Sequence, residues 1–460
     1  MPETYVRMTA FSSRLLQKYN LPAPRYTSYP TVPLWANDIT ESGWISLVKK
    51  AYEDFGNSEG ITLYIHLPYC ESLCTYCGCN KRITKNHGVE TPYISTIIKE
   101  WNAYLKILDT KPKLAGIHLG GGTPTFFSPG SLEEMLTLII SSSEVMPEAE
   151  FSFEGHPNNT THEHLQTLFD LGFTRVSYGI QDFNEQVQKA IHRHQPFERV
   201  KEATDAAREI GYTSLNFDLI YGLPHQTPET IRHTFEKVAQ LKPDRIAFYS
   251  YAHLPSVFPS QKNFEQFLPQ ESEKRNLYEK GKKILLEMGY LEVGMDHFAL
   301  ENDPLNIARK NKTLHRNFMG YTTSPSKILI GLGNSSISDL HYAYAQNCKE
   351  IEQYKKQINS GNFAISKGHL MSGEDIETRN LILKLICNRE ATWNLSYYSF
   401  LGERNLDKLK KFAEEGIIEF DEKGIKILPS GQPFIRNVCM VFDLRMQEKE
   451  ERRFGFSKSI

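Results

Sequence analysis

The chain has 460 residues, 40% of them hydrophobic and 23% charged, with a formal net charge of −2. That length suggests two or three domains at about 150 residues each, and the near-neutral balance excludes a global attraction to nucleic acid. No stretch approaches the roughly 20 apolar residues of a membrane span, and the opening Met-Pro-Glu-Thr-Tyr-Val-Arg lacks the apolar centre of a secretory signal, so a cytoplasmic location is expected.

In chain order, Leu21-Pro-Ala-Pro-Arg-Tyr-Thr-Ser-Tyr-Pro30 is too rich in proline for a helix and reads as an extended arm within residues 1–54. A strand, Ile61–Leu67, runs straight into Cys70, Cys74, Cys77 and Cys79. Only Cys348, Cys387 and Cys439 lie elsewhere, and such clustering without a disulfide framework suits a reducing compartment. The gaps of three, two and one residues match neither the paired elements of a zinc knuckle nor a bacterial ferredoxin run. They fit a [4Fe–4S] cubane held by Cys70, Cys74 and Cys77, with one iron left for a small molecule. Zinc, or a loop of structural thiols, is the alternative. An open iron suits chelation by S-adenosylmethionine, whose reductive cleavage yields a 5′-deoxyadenosyl radical. The C-x3-C-x2-C run resembles that of the radical S-adenosylmethionine superfamily. Tyr64, alternating with Ile65 and His66, can face such a cluster, and Tyr76 can cover an adenine or shield the cubane. Plain core packing is the simpler role for either tyrosine.

Beyond residue 60, apolar runs alternate with amphipathic helical segments. The strands are Ile61–Leu67, Gly116–Leu119, Glu150–Glu154, Arg175–Ile180, Ser214–Ile220 and Arg245–Tyr251; the helices are Thr91–Leu108, Leu132–Ser142, His162–Leu171, Phe197–Ile210 and Pro228–Leu241. Six such units predict an α/β fold, a partial (β/α)6 barrel over residues 55–290, with a doubly wound sheet as the alternative. Either places a site at the carboxyl ends of the strands. Gly120-Gly-Gly-Thr-Pro-Thr125 follows the second strand and permits close backbone approach to the methionine part of S-adenosylmethionine. It lacks the spacing of a phosphate or dinucleotide loop. Glu154, Gln181 and Asp218 fall at successive strand ends, where they can bind an ammonium group or ribose hydroxyls, and Arg193 can pair with a carboxylate. Alone, each would more often be a cap or a surface group. Residues 291–365 read as a core extension or connector. Residues 366–460 read as a small, mainly helical, winged-helix-like domain with a helix at Gly373–Asn388 and a hairpin at Ile417–Leu428. The charge run Glu448–Arg453 reads as a solvated helix face.

In these residues the chain resembles the oxygen-independent coproporphyrinogen III oxidases of haem biosynthesis over nearly its whole length. The likeness rests on the arm Pro24–Pro30, the cysteine loop and Gly120–Thr125. It continues through Gln181-Asp-Phe-Asn184, Asp218–Pro224, Tyr251-Ala-His-Leu-Pro255, Met295-Asp-His-Phe298, His315-Arg-Asn-Phe318, Gly320-Tyr-Thr-Thr323 and Ile435-Arg-Asn-Val-Cys439. It implies oxidative decarboxylation of two propionates of coproporphyrinogen III to vinyls. A haem-chaperone paralogue on the same scaffold is the alternative, but such paralogues typically lack the arm and Cys79. The resemblance further implies one [4Fe–4S] cluster and two S-adenosylmethionine molecules. Tyr64, Gly121, Glu154 and Ile337 would serve the first molecule, with Tyr64 and Glu154 also catalytic. Tyr76, Gly122, Thr123, Gln181, Arg193, Asp218 and Ala252 would serve the second. Cys79 would belong to the motif without ligating. His156 stands where the family usually carries aspartate, which removes a negative charge beside the first cofactor. Arg25, His315 and Arg316 are expected to meet the carboxylates of the tetrapyrrole; a surface salt bridge is the simpler role for each. A reductant protein such as flavodoxin or ferredoxin is implied, as is a monomer.

Overall fold

In six strands one set of alternate residues is apolar and the other polar, and the fold is built on that division. The computed structural model describes residues 14–448, with Phe456 and Lys458. The opening heptapeptide and residues 449–453 of the charge run lie outside these. The strands are β1 (Ile61–Leu67), β2 (Lys113–Gly121), β3 (Glu144–Gly155), β4 (Arg175–Gln181), β5 (Ser214–Tyr221) and β6 (Arg245–Ser250). Each pairs in parallel with the next in chain order. Leu63, Ile65, Ile117, Leu119, Phe153, Tyr178, Phe217, Leu219 and Phe248 are buried in the main apolar core. Their neighbours Thr62, His118, Ser152, Ser177, Asn216 and Tyr249 line an interior cavity. A period of two puts these sets on opposite faces of the sheet.

The crossover helices are α2 (Glu90–Leu108), α3 (Pro129–Ser141), α4 (His162–Asp170), α5 (Phe197–Ile210) and α6 (Pro228–Leu241), with α7 (Glu271–Glu287) after β6. Successive helices touch one another, so all sit on one face of the sheet. A doubly wound sheet would distribute them over both faces and reverse the strand order, so the barrel reading holds. Their starts follow local chemistry: the Ser128 and Thr161 hydroxyls cap α3 and α4, and Pro228 follows the Thr227 cap of α6.

The barrel stays open. Strands β7 (Leu291–Gly294) and β8 (His297–Ala299) extend it antiparallel beyond β6, and a separate hairpin, β9 (His315–Asn317) with β10 (Gly320–Thr322), follows. On the other flank β11 (Leu329–Leu332) pairs parallel to β1. It is followed by antiparallel β12 (Ile337–Asp339), β13 (Ala343–Asn347) and β14 (Ile365–Leu370). The sheet thus has twelve strands in the order β14-β13-β12-β11-β1-β2-β3-β4-β5-β6-β8-β7. Segment 291–365 therefore contributes to both ends of the main sheet, and the expected break at 365/366 falls within β14.

The arm is non-helical through Leu21–Pro30, and helix α1 (Glu41–Ala51) follows it, an element the proline-rich reading did not anticipate. Trp44, Val48 and Ala51 bury its apolar stripe, and Thr40 caps it. The C-terminal part holds α8 (Gly373–Asn388), α9 (Gly402–Glu414) and α10 (Ile435–Phe442). Beside them is a three-stranded sheet of β15 (Glu390–Thr392), β17 (Gly424–Ile427) and β16 (Ile418–Asp421) in that order. Its core incorporates Tyr26 and Tyr29 of the arm and Tyr321 of the β9–β10 hairpin. Among the described residues no helix is long and apolar enough to cross a membrane.

Glu100 is fully buried on α2. It accepts hydrogen bonds from Gly333 N at 2.8 Å, Tyr354 Oη at 2.6 Å and Asn347 Nδ2 at 2.6 Å. Burial outweighs those donors and lifts its pKa from 4.5 to about 7. Between those values the folded chain binds more protons than the unfolded chain, so this group's contribution falls as pH rises through the window. The expected loss is about 3 kcal/mol from pH 4.5 to 7. Urea unfolding of wild type and Glu100→Gln across that range checks it; parallel pH profiles would refute it.

Candidate active site

The cysteine loop leaves the carboxyl end of β1 and lies beside the Gly120–Thr125 turn that leaves β2. Short strands Tyr69–Cys70 and Arg82–Ile83 pair in parallel and close the base of the loop. Cys70, Cys74, Cys77 and Cys79 line one cavity with Tyr76, Gly121, Gly122, Thr123, Glu154, His156, Gln181, Arg193 and Asp218. Residues from five strand ends and the loop thus meet in one place, as a parallel barrel arranges.

The thiols sit among donors. Thr123 Oγ1 approaches Cys70 Sγ at 3.3 Å, Arg193 Nη1 approaches Cys74 Sγ at 3.4 Å, and Lys81 Nζ donates to the Cys77 carbonyl at 3.0 Å. Burial pushes the Cys70 thiol up to about 11, whereas a hydrogen bond from Cys79 brings Cys77 down to about 6. Glu154 Oε2 accepts from Gly121 N at 3.3 Å, and its Oε1 lies 3.7 Å from His118 Nε2. Tyr64 Oη lies 3.1 Å from His66 Nδ1, and the Tyr64 ring stacks on His118. Asp218 accepts from Asn216 Nδ2 at 2.9 Å and Ser177 Oγ at 3.2 Å; burial, reinforced by Glu154, lifts it to about 7. Burial and the nearby Arg193 charge depress the His156 pKa well below its ordinary value.

Three observations test whether these residues suit a [4Fe–4S] cluster and S-adenosylmethionine. First, the thiols of Cys70, Cys74, Cys77 and Cys79 line a common cavity. A cubane takes one thiolate per iron, so a loop of several thiols in one cavity suits it. Second, Gln181 Oε1 and Arg193 Nε are buried in the cavity wall without a partner among the described residues. Third, a Cβ on Gly122 would lie 2.6 Å from the Pro68 backbone, and Gly121 takes φ of +115°, so the turn needs glycine to sit against the cysteine loop. The donor set and the cradle fit.

Not every expected residue arrives there. Ile337 packs beside Trp35 and Tyr344, and Ala252 is exposed beyond β6; neither lines the cavity. Arg25 bonds Asp296 at 2.6 Å and stacks near Tyr249. Arg316 is 6% exposed and His315 is exposed. Sequence reasoning did not single out His118, Ser177, Asn216 or Tyr249; alternation along β2, β4, β5 and β6 was the available signal.

The Radical SAM superfamily matches residues 64–238. The chain is 38% identical over 459 residues to the oxygen-independent coproporphyrinogen III oxidase of Escherichia coli (strain K12), covering 97% of this chain and 98% of that protein. It is 38% identical over 457 residues to the protein of the same name from Helicobacter pylori (strain J99), covering 96% and 98%. The solved coproporphyrinogen III oxidase (HemN) of Escherichia coli, described as a radical SAM enzyme, superposes with a TM-score of 0.88 and covers 94% of this chain and 98% of that one.

Proposed function

The chain belongs to the oxygen-independent coproporphyrinogen III oxidases of the radical SAM superfamily, and we propose that the cavity beside its cysteine loop is where two propionates of the substrate become vinyl groups. It is an oxidoreductase of haem biosynthesis that acts on a tetrapyrrole and uses a [4Fe–4S] cluster and S-adenosylmethionine. Each conversion removes one hydrogen atom, one carbon dioxide and one electron from a propionate. When bound, the cluster and S-adenosylmethionine supply the 5′-deoxyadenosyl radical that takes the hydrogen atom.

This chain's residues bind and orient. Cys70, Cys74 and Cys77 would hold three of the cluster's four irons, and Cys79 stands beside Cys77 without ligating. Tyr64, Gly121 and Glu154 hold the first S-adenosylmethionine, with the Glu154 carboxylate meeting its ammonium group. Tyr76, Gly122, Thr123, Gln181, Arg193 and Asp218 hold a second, with Arg193 facing its carboxylate. Arg25 and Arg316 serve the substrate carboxylates. The protein acts in the cytoplasm as a monomer and receives electrons from a flavodoxin- or ferredoxin-like donor. The observation that carries this reading is the meeting of three thiols, the glycine turn and Glu154 in a chain 38% identical to a named oxidase over 97% of its length. The test is anaerobic incubation of reduced protein with S-adenosylmethionine and coproporphyrinogen III. Protoporphyrinogen IX and 5′-deoxyadenosine are expected together; haem bound stoichiometrically with no vinyl product would overturn it.

A further inference from the structure

We propose that Arg316, Tyr321 and His297, behind Tyr249, form a subsite for a substrate carboxylate that is retained through the reaction. This rests on the oxidase reading and adds to it a place and residues.

The argument starts from donors that have no acceptor. Arg316 Nε and Nη1, Tyr321 Oη and His297 Nδ1 are buried without any hydrogen-bond partner among the described residues. They form one group: Arg316 lies 4.7 Å over the Tyr321 ring, and the Tyr321 and His297 rings pack edge to face at 5.1 Å. His297 Nε2 meets Tyr249 Oη at 3.2 Å. If the phenol donates there, the imidazole proton sits on Nδ1, so that nitrogen is also a donor. Burial depresses the His297 pKa to about 3, consistent with a neutral ring. Among the described residues Arg316 makes no ion pair. The nearby carboxylate, Asp296, is already bonded to Arg25 at 2.6 Å. Arg25, bonded to Asp296, lies 5.5 Å over the Tyr249 ring, and the Asp218 carboxylate, bonded to Asn216 and Ser177, faces the same phenol.

A buried guanidinium left without a counter-charge destabilises a fold, and a forked carboxylate is its natural complement. The substrate supplies four carboxylates and loses two. Tyr249 lines the cysteine cavity and also the barrel interior that His297 and Tyr321 line. The subsite thus begins at His297 and Tyr321, which line that interior, with Arg316 stacked 4.7 Å over the Tyr321 ring. A propionate elsewhere on the same macrocycle can reach it while the reacting one stays beside the cofactor. Asp296 is the internal competitor for this positive charge.

The test measures binding of coproporphyrin III to anaerobic holoenzyme by fluorescence, with its tetramethyl ester as control. Arg316→Met keeps the packing over Tyr321 and removes the charge. It is expected to weaken coproporphyrin III binding about 10-fold and to leave ester binding equal to wild type. Its thermal midpoint should rise, because an apolar side chain replaces an uncompensated buried cation. Asp296→Asn should tighten binding severalfold, the opposite sign to loss of a merely structural ion pair. Tyr321→Phe, which removes one hydroxyl, should weaken binding about threefold and carries the test if Arg316→Met does not fold. Binding of coproporphyrin III by Arg316→Met within twofold of wild type would overturn the proposal. So would weaker binding by Asp296→Asn. A wild-type protein that binds neither coproporphyrin III nor its reduced form would instead fail the oxidase reading, and the cluster's iron content reports separately on the cofactor site.

Discussion

Alanine at Cys70, Cys74 or Cys77 is expected to remove the cluster and lower turnover by at least about 10³-fold, equivalent to about 4 kcal/mol of transition-state stabilisation. Each sulfur lines the same cavity, and two of them already receive a hydroxyl or guanidinium donor. Losing one thiolate leaves one iron to water or a weak ligand, and no fourth protein thiol is available to replace it except Cys79, which is tied to Cys77. Iron and sulfide content and 5′-deoxyadenosine formation after anaerobic reconstitution check this. Cys348, Cys387 and Cys439 are buried free thiols in packed surroundings, so alanine there should leave the iron content unchanged. Iron retained in Cys74→Ala, or lost in Cys348→Ala, would contradict the assignment.

Asp303→Ala is expected to cost about 3–5 kcal/mol of stability through the partner it strands. Asp303 Oδ2 accepts from Arg245 Nε at 2.7 Å, with side-chain exposures of 3% and 6%. Its other oxygen accepts from Leu305 N at 2.8 Å and caps the short helix Pro304–Lys310, worth about 1 kcal/mol more. Removing the carboxylate leaves a guanidinium at the barrel interior with nothing opposite. Arg245→Met combined with Asp303→Leu should recover most of the loss, because both buried charges then disappear together. Chemical denaturation of the three variants decides it. A double variant no more stable than the single would mean that cap and packing, not the ion pair, carry the effect.

Much of the barrel was legible because short-range rules govern it. Ile61–Leu67 matches its strand residue for residue, and Phe197–Ile210 and Pro228–Leu241 match their helices, where caps and apolar spacing coincide. Strand β3 extends from Glu144 rather than Glu150 because its early part is polar and carries Pro147, which masks the pattern. Helix α1 was obscured by the proline-rich segment before it. The twelve-strand width was not legible, because β11 joins β1 across more than 260 residues of chain. His315 and Arg316 show the limit most clearly. They are neighbours in sequence and share one expected role, yet alternation along β9 turns one to the surface and buries the other.

By itself the sequence determined the cysteine spacing, the glycine turn, the succession of strands and helices, and which alternate residues would be polar. These depend on the backbone's own periodicities and on side chains near one another in the chain. Tertiary packing alone brings Arg25, Tyr249, His297 and Arg316 together and makes the polar strand faces enclose an interior. Those outcomes depend on sheet order, register and the docking of the arm and the C-terminal helices. Such long-range contacts are selected by packing and desolvation, and no local pattern encodes which distant partner will be met.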